Sequence, residues 1–161
     1  MLSRNRTGHS GFTLVEILIV VVILGILAAF VTPQFATAAD DSRAGAFVTS
    51  LRTFAQAAEI HHSRTGEFPA DSSSGAFPPE LAEWIRPSDW GSGETPLGGV
   101  WDFERNSYSI ISAVGVHFDG TGATRDDAFM ADVDATFDDG DVTTGRFRRI
   151  DANRYYLVIY D

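Results

Sequence analysis

The sequence predicts an α+β protein: a long N-terminal helix packed on a small antiparallel β-sheet. Three observations predict it. An unbroken apolar run, Ile17–Val31, leads into a stretch whose apolar residues recur at helical spacing. Five of the six prolines then fall between residues 67 and 99, where no long helix can persist. Beyond residue 99, short apolar runs come in pairs separated by polar connections, which is the pattern of hairpins. The length of 161 residues suits one modest domain.

Charge and composition narrow the function classes. Twelve basic residues, all arginine, stand against 22 acidic ones, for a net charge of −10. A hydrophobic content of 44% excludes a wholly disordered chain. The negative charge argues against non-specific binding to nucleic acid, so no nucleic-acid partner is expected. With no cysteine there is no disulfide framework, cysteine zinc site or thiol nucleophile.

The helix begins in the apolar segment. Phe12–Val31 is 20 residues long, interrupted only by Thr13 and Glu16. A bilayer-spanning helix needs about 20 residues at roughly 1.5 Å rise each. Arg4 and Arg6 precede it, and Asp40 and Asp41 follow it, so the C-terminal part is expected outside the cytoplasm. Three readings compete. One is a secretory signal cut after Ala36-Thr37-Ala38, leaving Ala39 as the new start. Another is a plain single-pass anchor. The third turns on Glu16, because a carboxylate costs about 2.5–3.5 kcal/mol at the centre of a membrane helix and less near its end. Glu16 either sits at headgroup level or has a partner.

Gly11-Phe12-Thr13-Leu14-Val15-Glu16 followed by the apolar run resembles the prepilin signal of type IV pilins and type II secretion pseudopilins. The match runs position by position over roughly Gly11–Pro33. The resemblance implies that a prepilin peptidase cuts between Gly11 and Phe12 and N-methylates Phe12. Removing the 11-residue leader takes Arg4 and Arg6 with it and moves the net charge from −10 to −12. It also implies that Glu16 pairs with the new amine of a neighbouring subunit. At about 4 Å and an effective dielectric near 20, such a pair has a Coulomb energy of about 4 kcal/mol, partly offset by desolvation. A misplaced subunit leaves both charges unpaired, so the pair sets register. Gly25 and Pro33 stand where the family carries helix-loosening residues; tolerance of both in a membrane helix is the plainer reading.

The expected organisation is a leader over 1–11, a transmembrane and assembly helix over 12–32, an amphipathic helix over 33–66 and a globular head over 67–161. Phe47, Leu51, Phe54 and Ala58 form the stripe expected to face a sheet. His61 and His62 are adjacent, and neighbours on a helix point about 100° apart, a poor metal pair. Gly66 reads as the left-handed helix cap. Pro79–Ile85 fits a short helix with Pro79 in its first turn. Strands are expected at Val100–Phe103 and Tyr108–Val116, joined by the polar Glu104–Ser107, and at Phe147–Ile150 and Tyr155–Tyr160. Thr95-Pro96-Leu97-Gly98-Gly99 before the first hairpin is similar to the segment that opens the sheet in type II secretion pseudopilins.

Between the hairpins, Phe118–Thr144 reads as an acidic loop holding eight aspartates. Asp138, Asp139 and Asp141 cluster around Gly140 and offer hard oxygens of the kind calcium takes. The spacing is not that of an EF-hand. A solvated acidic loop with turn-capping aspartates is the alternative. The resemblance favours calcium, because major pseudopilins carry one near the C-terminus; no other cofactor is expected.

No nucleophile elbow, P-loop, dinucleotide fingerprint or zincin motif is present, so the chain is not expected to be an enzyme. The sequence reads as a structural subunit of a filament assembled from the inner membrane, most simply a type II secretion pseudopilin. The alternatives are a type IV pilin of a surface pilus, and a membrane-tethered or exported binding domain. The expected partners are identical or related pilin subunits, the prepilin peptidase, an inner-membrane assembly platform and the membrane itself.

Overall fold

The computed structural model describes residues 12–161. They fall into two units, one ending at Ala39 and one spanning Asp40–Asp161. A single helix, α1 (Leu14–Thr65), contributes to both.

In the first unit the side chains from Phe12 to Val31 are exposed. The segment is long and apolar enough to cross a membrane. The helix continues through Gly25 and Pro33. Pro33 lacks an N–H, so the carbonyl four residues earlier, at Ala29, loses its helical donor. Two threonines nearby bond back to the helix: the Thr32 hydroxyl donates to the Ala28 carbonyl at 2.8 Å and that of Thr37 to the Pro33 carbonyl at 3.2 Å.

In the second unit α1 buries Phe47, Val48, Leu51, Phe54, Ala55, Ala57 and Ala58, the expected stripe with small residues between. It ends at Thr65. Gly66 follows at φ +83° and its N–H donates to the His62 carbonyl at 2.8 Å, closing the last turn as a left-handed cap. The helix packs on four antiparallel strands, β1 (Val100–Ser107), β2 (Ile110–His117), β3 (Phe147–Asp151) and β4 (Arg154–Tyr160), in the order β1-β2-β4-β3. This is the expected α+β, pilin-like arrangement.

Aromatic rings fill the space between helix and sheet. Phe47 stacks on Trp101 with centroids 5.1 Å apart, and Phe54 meets Trp101 edge-on at 5.0 Å. Trp90 packs against Phe54 at 5.0 Å, and its indole N–H donates to the Gly75 carbonyl at 3.1 Å. That bond lets a polar ring be fully buried. Trp90 belongs to a short helix, α2 (Pro87–Trp90), and the expected helix at Pro79 is a 3-10 turn, Pro79–Glu83.

Two expectations are corrected. The polar residues Glu104–Ser107 do not connect the first hairpin; they extend β1, and Ser107 pairs with Ile110. The turn is Tyr108-Ser109, with φ +50° and +63°, the left-handed pair that suits the twist of a two-residue hairpin. Polar side chains enter the strand because charged partners meet them: Arg154 reaches Glu104, and Arg105 reaches Glu67. The acidic stretch, second, is not all loop. It holds a helix, α3 (Asp127–Asp134), capped by the Asp126 carboxylate, which accepts from the Phe129 N–H at 2.9 Å. Met130 and Val133 carry its buried face.

Candidate functional site

Two regions hold the residues singled out in the sequence. At the N-terminal end, Gly11 lies outside the described residues. Phe12 is exposed. Thr13 and Glu16 form a reciprocal pair at the start of α1. The Glu16 carboxylate accepts from the Thr13 backbone N–H at 2.9 Å and from its hydroxyl at 3.1 Å, while the Glu16 N–H donates to the Thr13 hydroxyl at 3.2 Å. This is a capping box, in which two backbone donors left over at a helix start are satisfied by side chains. The carboxylate therefore has polar neighbours within its own chain. The Thr-x-x-Glu spacing carried that signal in the sequence. Further along, no heavy atom comes within 4 Å of a Cβ built on Gly25.

The second region lies between α3 and β3. Asp134 ends α3, and its side chain is wholly buried, with neither carboxylate oxygen meeting a donor. Asp138 and Asp139 approach it, with one oxygen from each of the three lying within 4.8 Å of the others. Burial, and then the neighbouring charges of Asp138 and Asp139, push the Asp134 carboxyl up to about 6. With one oxygen of each within 4.8 Å of the others, the three like charges repel one another.

The other carboxylates of this stretch are well served. Asp138 accepts from the backbone N–H groups of Arg146 at 2.5 Å and Phe147 at 2.8 Å, both on one oxygen. Asp139 accepts from the Asp141 N–H at 3.0 Å and the Thr144 hydroxyl at 2.8 Å, bonds that hold its carboxyl below the usual range. Asp141 accepts from the Thr143 hydroxyl at 2.6 Å and its N–H at 2.9 Å, and is likewise depressed. Asp141 thus faces Thr143, while the three carboxylates gathered together are Asp134, Asp138 and Asp139. Gly145 completes the crowding: at φ +67°, a Cβ there would fall on the carboxylates of Asp138 and Asp139.

The donor set fits a hard divalent cation. Carboxylate oxygens converge, and both oxygens of Asp134 are buried and without a partner, so an ion there would satisfy charge that the protein leaves uncompensated.

The remaining polar clusters are structural in their geometry. His61 packs edge-on against Trp84 at 5.4 Å and His62 stacks on Phe68 at 4.1 Å. Ser74 lies 3.0 Å from His117 Nδ1, but its hydroxyl donates to Asp102 at 2.7 Å. A hydroxyl whose proton is held by a carboxylate is not activated by the imidazole. Asp102 and Glu104 are buried beside Arg154, whose guanidinium reaches them at 2.5 and 2.7 Å. Burial raises the Glu104 carboxyl above its ordinary value.

Comparison with known proteins bears on the first region. Residues 6–32 match the prokaryotic N-terminal methylation motif. Type II secretion system core protein G of Pseudomonas aeruginosa is 42% identical over 57 residues, which are 35% of this chain. The match spans 40% of that relative's length. These similarities are to a structural class of protein rather than to an enzyme class, and the apolar start of α1 fits a membrane-anchored subunit. Together with the helix-on-sheet architecture, the motif and the relative support a pilin-like, pseudopilin-type subunit.

Proposed function

We propose that this protein is a filament subunit of the type II secretion pseudopilin kind. It is held in the inner membrane with its C-terminal domain outside the cytoplasm until an assembly platform extracts it into a filament of like subunits. The observation that carries this reading is the exposed apolar stretch of α1, which opens on a single acid, Glu16, inside a methylation motif. In a bilayer lipid covers that surface. In a filament the same surface packs against equivalent helices, so one segment serves storage and assembly.

Processing is assigned to the Gly11–Phe12 bond, with methylation of the new Phe12 amine. Glu16 then exchanges its bonds to Thr13 for the amine of a neighbouring subunit, and the exchange fixes axial register. Gly25 and Pro33 ease the local unwinding that extraction requires. A divalent cation, calcium by the hardness of its ligands, is held by Asp134, Asp138 and Asp139. It would supply positive charge to the domain rather than chemistry.

Mass spectrometry of the N-terminus, on protein from native membranes, tests the reading. A chain beginning at methylated Phe12 is expected. A chain beginning at Ala39 would mean ordinary export and would remove Glu16 from the protein altogether. Assembly is tested separately with Glu16→Val. That variant is expected to be cut and to reach the membrane but to form no filaments; wild-type filament levels would end the register role.

A further inference from the structure

We infer that the end of the sheet carrying the β1–β2 turn docks onto the opposite end of the same sheet in a second copy of this chain. This inference rests on the filament reading and names a contact between C-terminal units that such a filament would use.

The exposed apolar surface of the second unit is gathered at that end. Its three exposed large apolar side chains are Tyr108 in the turn, Ile111 in β2 and Tyr160 in β4. Tyr108 and Ser109 hold the turn at φ +50° and +63°, a conformation that Asn-Gly adopts far more readily, so the turn itself gains nothing from a tyrosine. One side of the ring lies 5.6 Å from the Arg154 guanidinium, and the side chain remains exposed. Tyr160 reaches the same end through a bulge. Ser112 pairs with Tyr160 but Ala113 with Val158, so Ile159 is an extra residue and Tyr160 is turned toward Phe68, 6.0 Å away. With His62, Phe68, Arg105 and Ile111 it lines a groove of about 230 Å³. Tyrosine and arginine gathered in one exposed place are the composition of a protein contact rather than of a solvated turn.

The charges choose the occupant. Two arginines flank the patch, and both are tied to acids that stay in water: Arg105 to Glu67, 72% exposed, and Arg148 to Asp161, 66% exposed. Surface pairs of this kind contribute little, so either arginine can exchange its partner for one that is less hydrated. The opposite end of the sheet supplies the acids. Register puts Val100, His117 and Arg154 in one row there. Glu94 bridges to Val100, Asp119 follows His117 by two residues, and Asp151 pairs with Arg154 along the strands. All three acids are exposed, and among the described residues none of them forms an ion pair. The two ends belong to one sheet, so the contact between them is head-to-tail, and each copy keeps one end free. Such a contact continues from copy to copy and builds an open helical array wherever the rotation does not close. A like-to-like contact between two aromatic ends would stop at two copies.

Tyrosine nitration of the full chain tests the surface, and cysteine pairing tests the occupant. The four tyrosines are Tyr108, Tyr155, Tyr156 and Tyr160, of which Tyr155 and Tyr156 are buried inside the unit. From detergent-dispersed chains to filaments, nitration of Tyr108 and Tyr160 is expected to fall about tenfold, with Tyr155 and Tyr156 low in both. The chain has no cysteine, so Ser109→Cys and Ala152→Cys report without background. Within one chain these two positions lie at opposite ends of strands about 25 Å long, far beyond disulfide reach. Filaments mixed from the two single variants are therefore expected to give disulfide-linked pairs on mild oxidation, and filaments of the double variant a ladder. Filaments in which Tyr108 and Tyr160 nitrate as before, or in which no disulfide forms, would overturn the contact and leave the filament reading standing. Disulfides in filaments of Ser109→Cys alone would mean that like ends meet, which also overturns it. If the parent chain, cut at Phe12, forms no filaments, both readings fall.

Discussion

Tyr156 lies across Gly115, its partner on the neighbouring strand, and donates its hydroxyl to Asp102 at 2.6 Å. Gly115 is at Tyr156 because nothing larger fits. A Cβ there would meet the Tyr155 carbonyl oxygen, the Tyr156 Cα and the Tyr156 ring. Two of those contacts are backbone and cannot step aside. Gly115→Ala is expected to cost about 3 kcal/mol, within the range for overpacking, read as a loss of denaturant midpoint.

Arg154 joins the same cluster. Its guanidinium serves Asp102, Glu104 and the Tyr156 hydroxyl at once. Arg154→Met keeps most of the volume and leaves two buried carboxylates facing each other. A loss of about 3–5 kcal/mol is expected, since removing one partner strands the other charges. Chemical unfolding monitored by tryptophan fluorescence measures it, with Trp101 close by in β1.

Calcium should stabilise the domain through Asp134 and not through Asp141. Ligand at a hundredfold excess over Kd adds about 2.7 kcal/mol to a folded state that alone binds it. Asp134→Asn is expected to lose the calcium-dependent rise in Tm, and Asp141→Asn to retain it, because the Asp141 carboxylate is turned to Thr143. The reverse pattern would move the ion toward Gly140.

Asp40 links α1 to the segment before α3. The Arg125 guanidinium donates to it at 2.8 Å, and that bond, ahead of the contribution from Arg43, holds the Asp40 carboxyl below the usual range. A depressed carboxyl stabilises the fold above its unfolded pKa of about 3.9, and the contribution disappears as pH falls through the lower folded value. Asp40→Asn is therefore expected to lower Tm at neutral pH and to flatten the decline of Tm below about pH 4. Equal slopes in parent and variant on the acid side would count against the pair.

Much of this was legible because the signals are local. The stripe Phe47, Leu51, Phe54, Ala58 repeats at helical spacing, and Gly66 stands where a helix needs a left-handed residue. The methylation motif is contiguous. What was not legible depends on distant partners. Glu104 reads as a turn residue until Arg154 arrives from fifty positions away. Aspartate is a weak helix former, so α3 hides among acids, although Asp126 three residues before Phe129 is a cap by position. The acidic site divides in the same way. Asp138 and Asp139 stand out beside Gly140, whereas Asp134 differs from its neighbours only in being buried, which is a property of the packed fold.

The strap Ser72–Gly75 covers β1 along Trp101–Phe103, donating from Gly75 to the Trp101 carbonyl at 2.7 Å and from Ser72 to that of Phe103 at 3.4 Å. The acidic segment covers β3. Both margins of the sheet are thus blunted against strand addition, the route by which exposed edges recruit other chains into cross-β aggregates. In a chain that also exposes a long apolar helix segment, this is a solubility device. Neither edge then presents its full row of backbone groups to another chain.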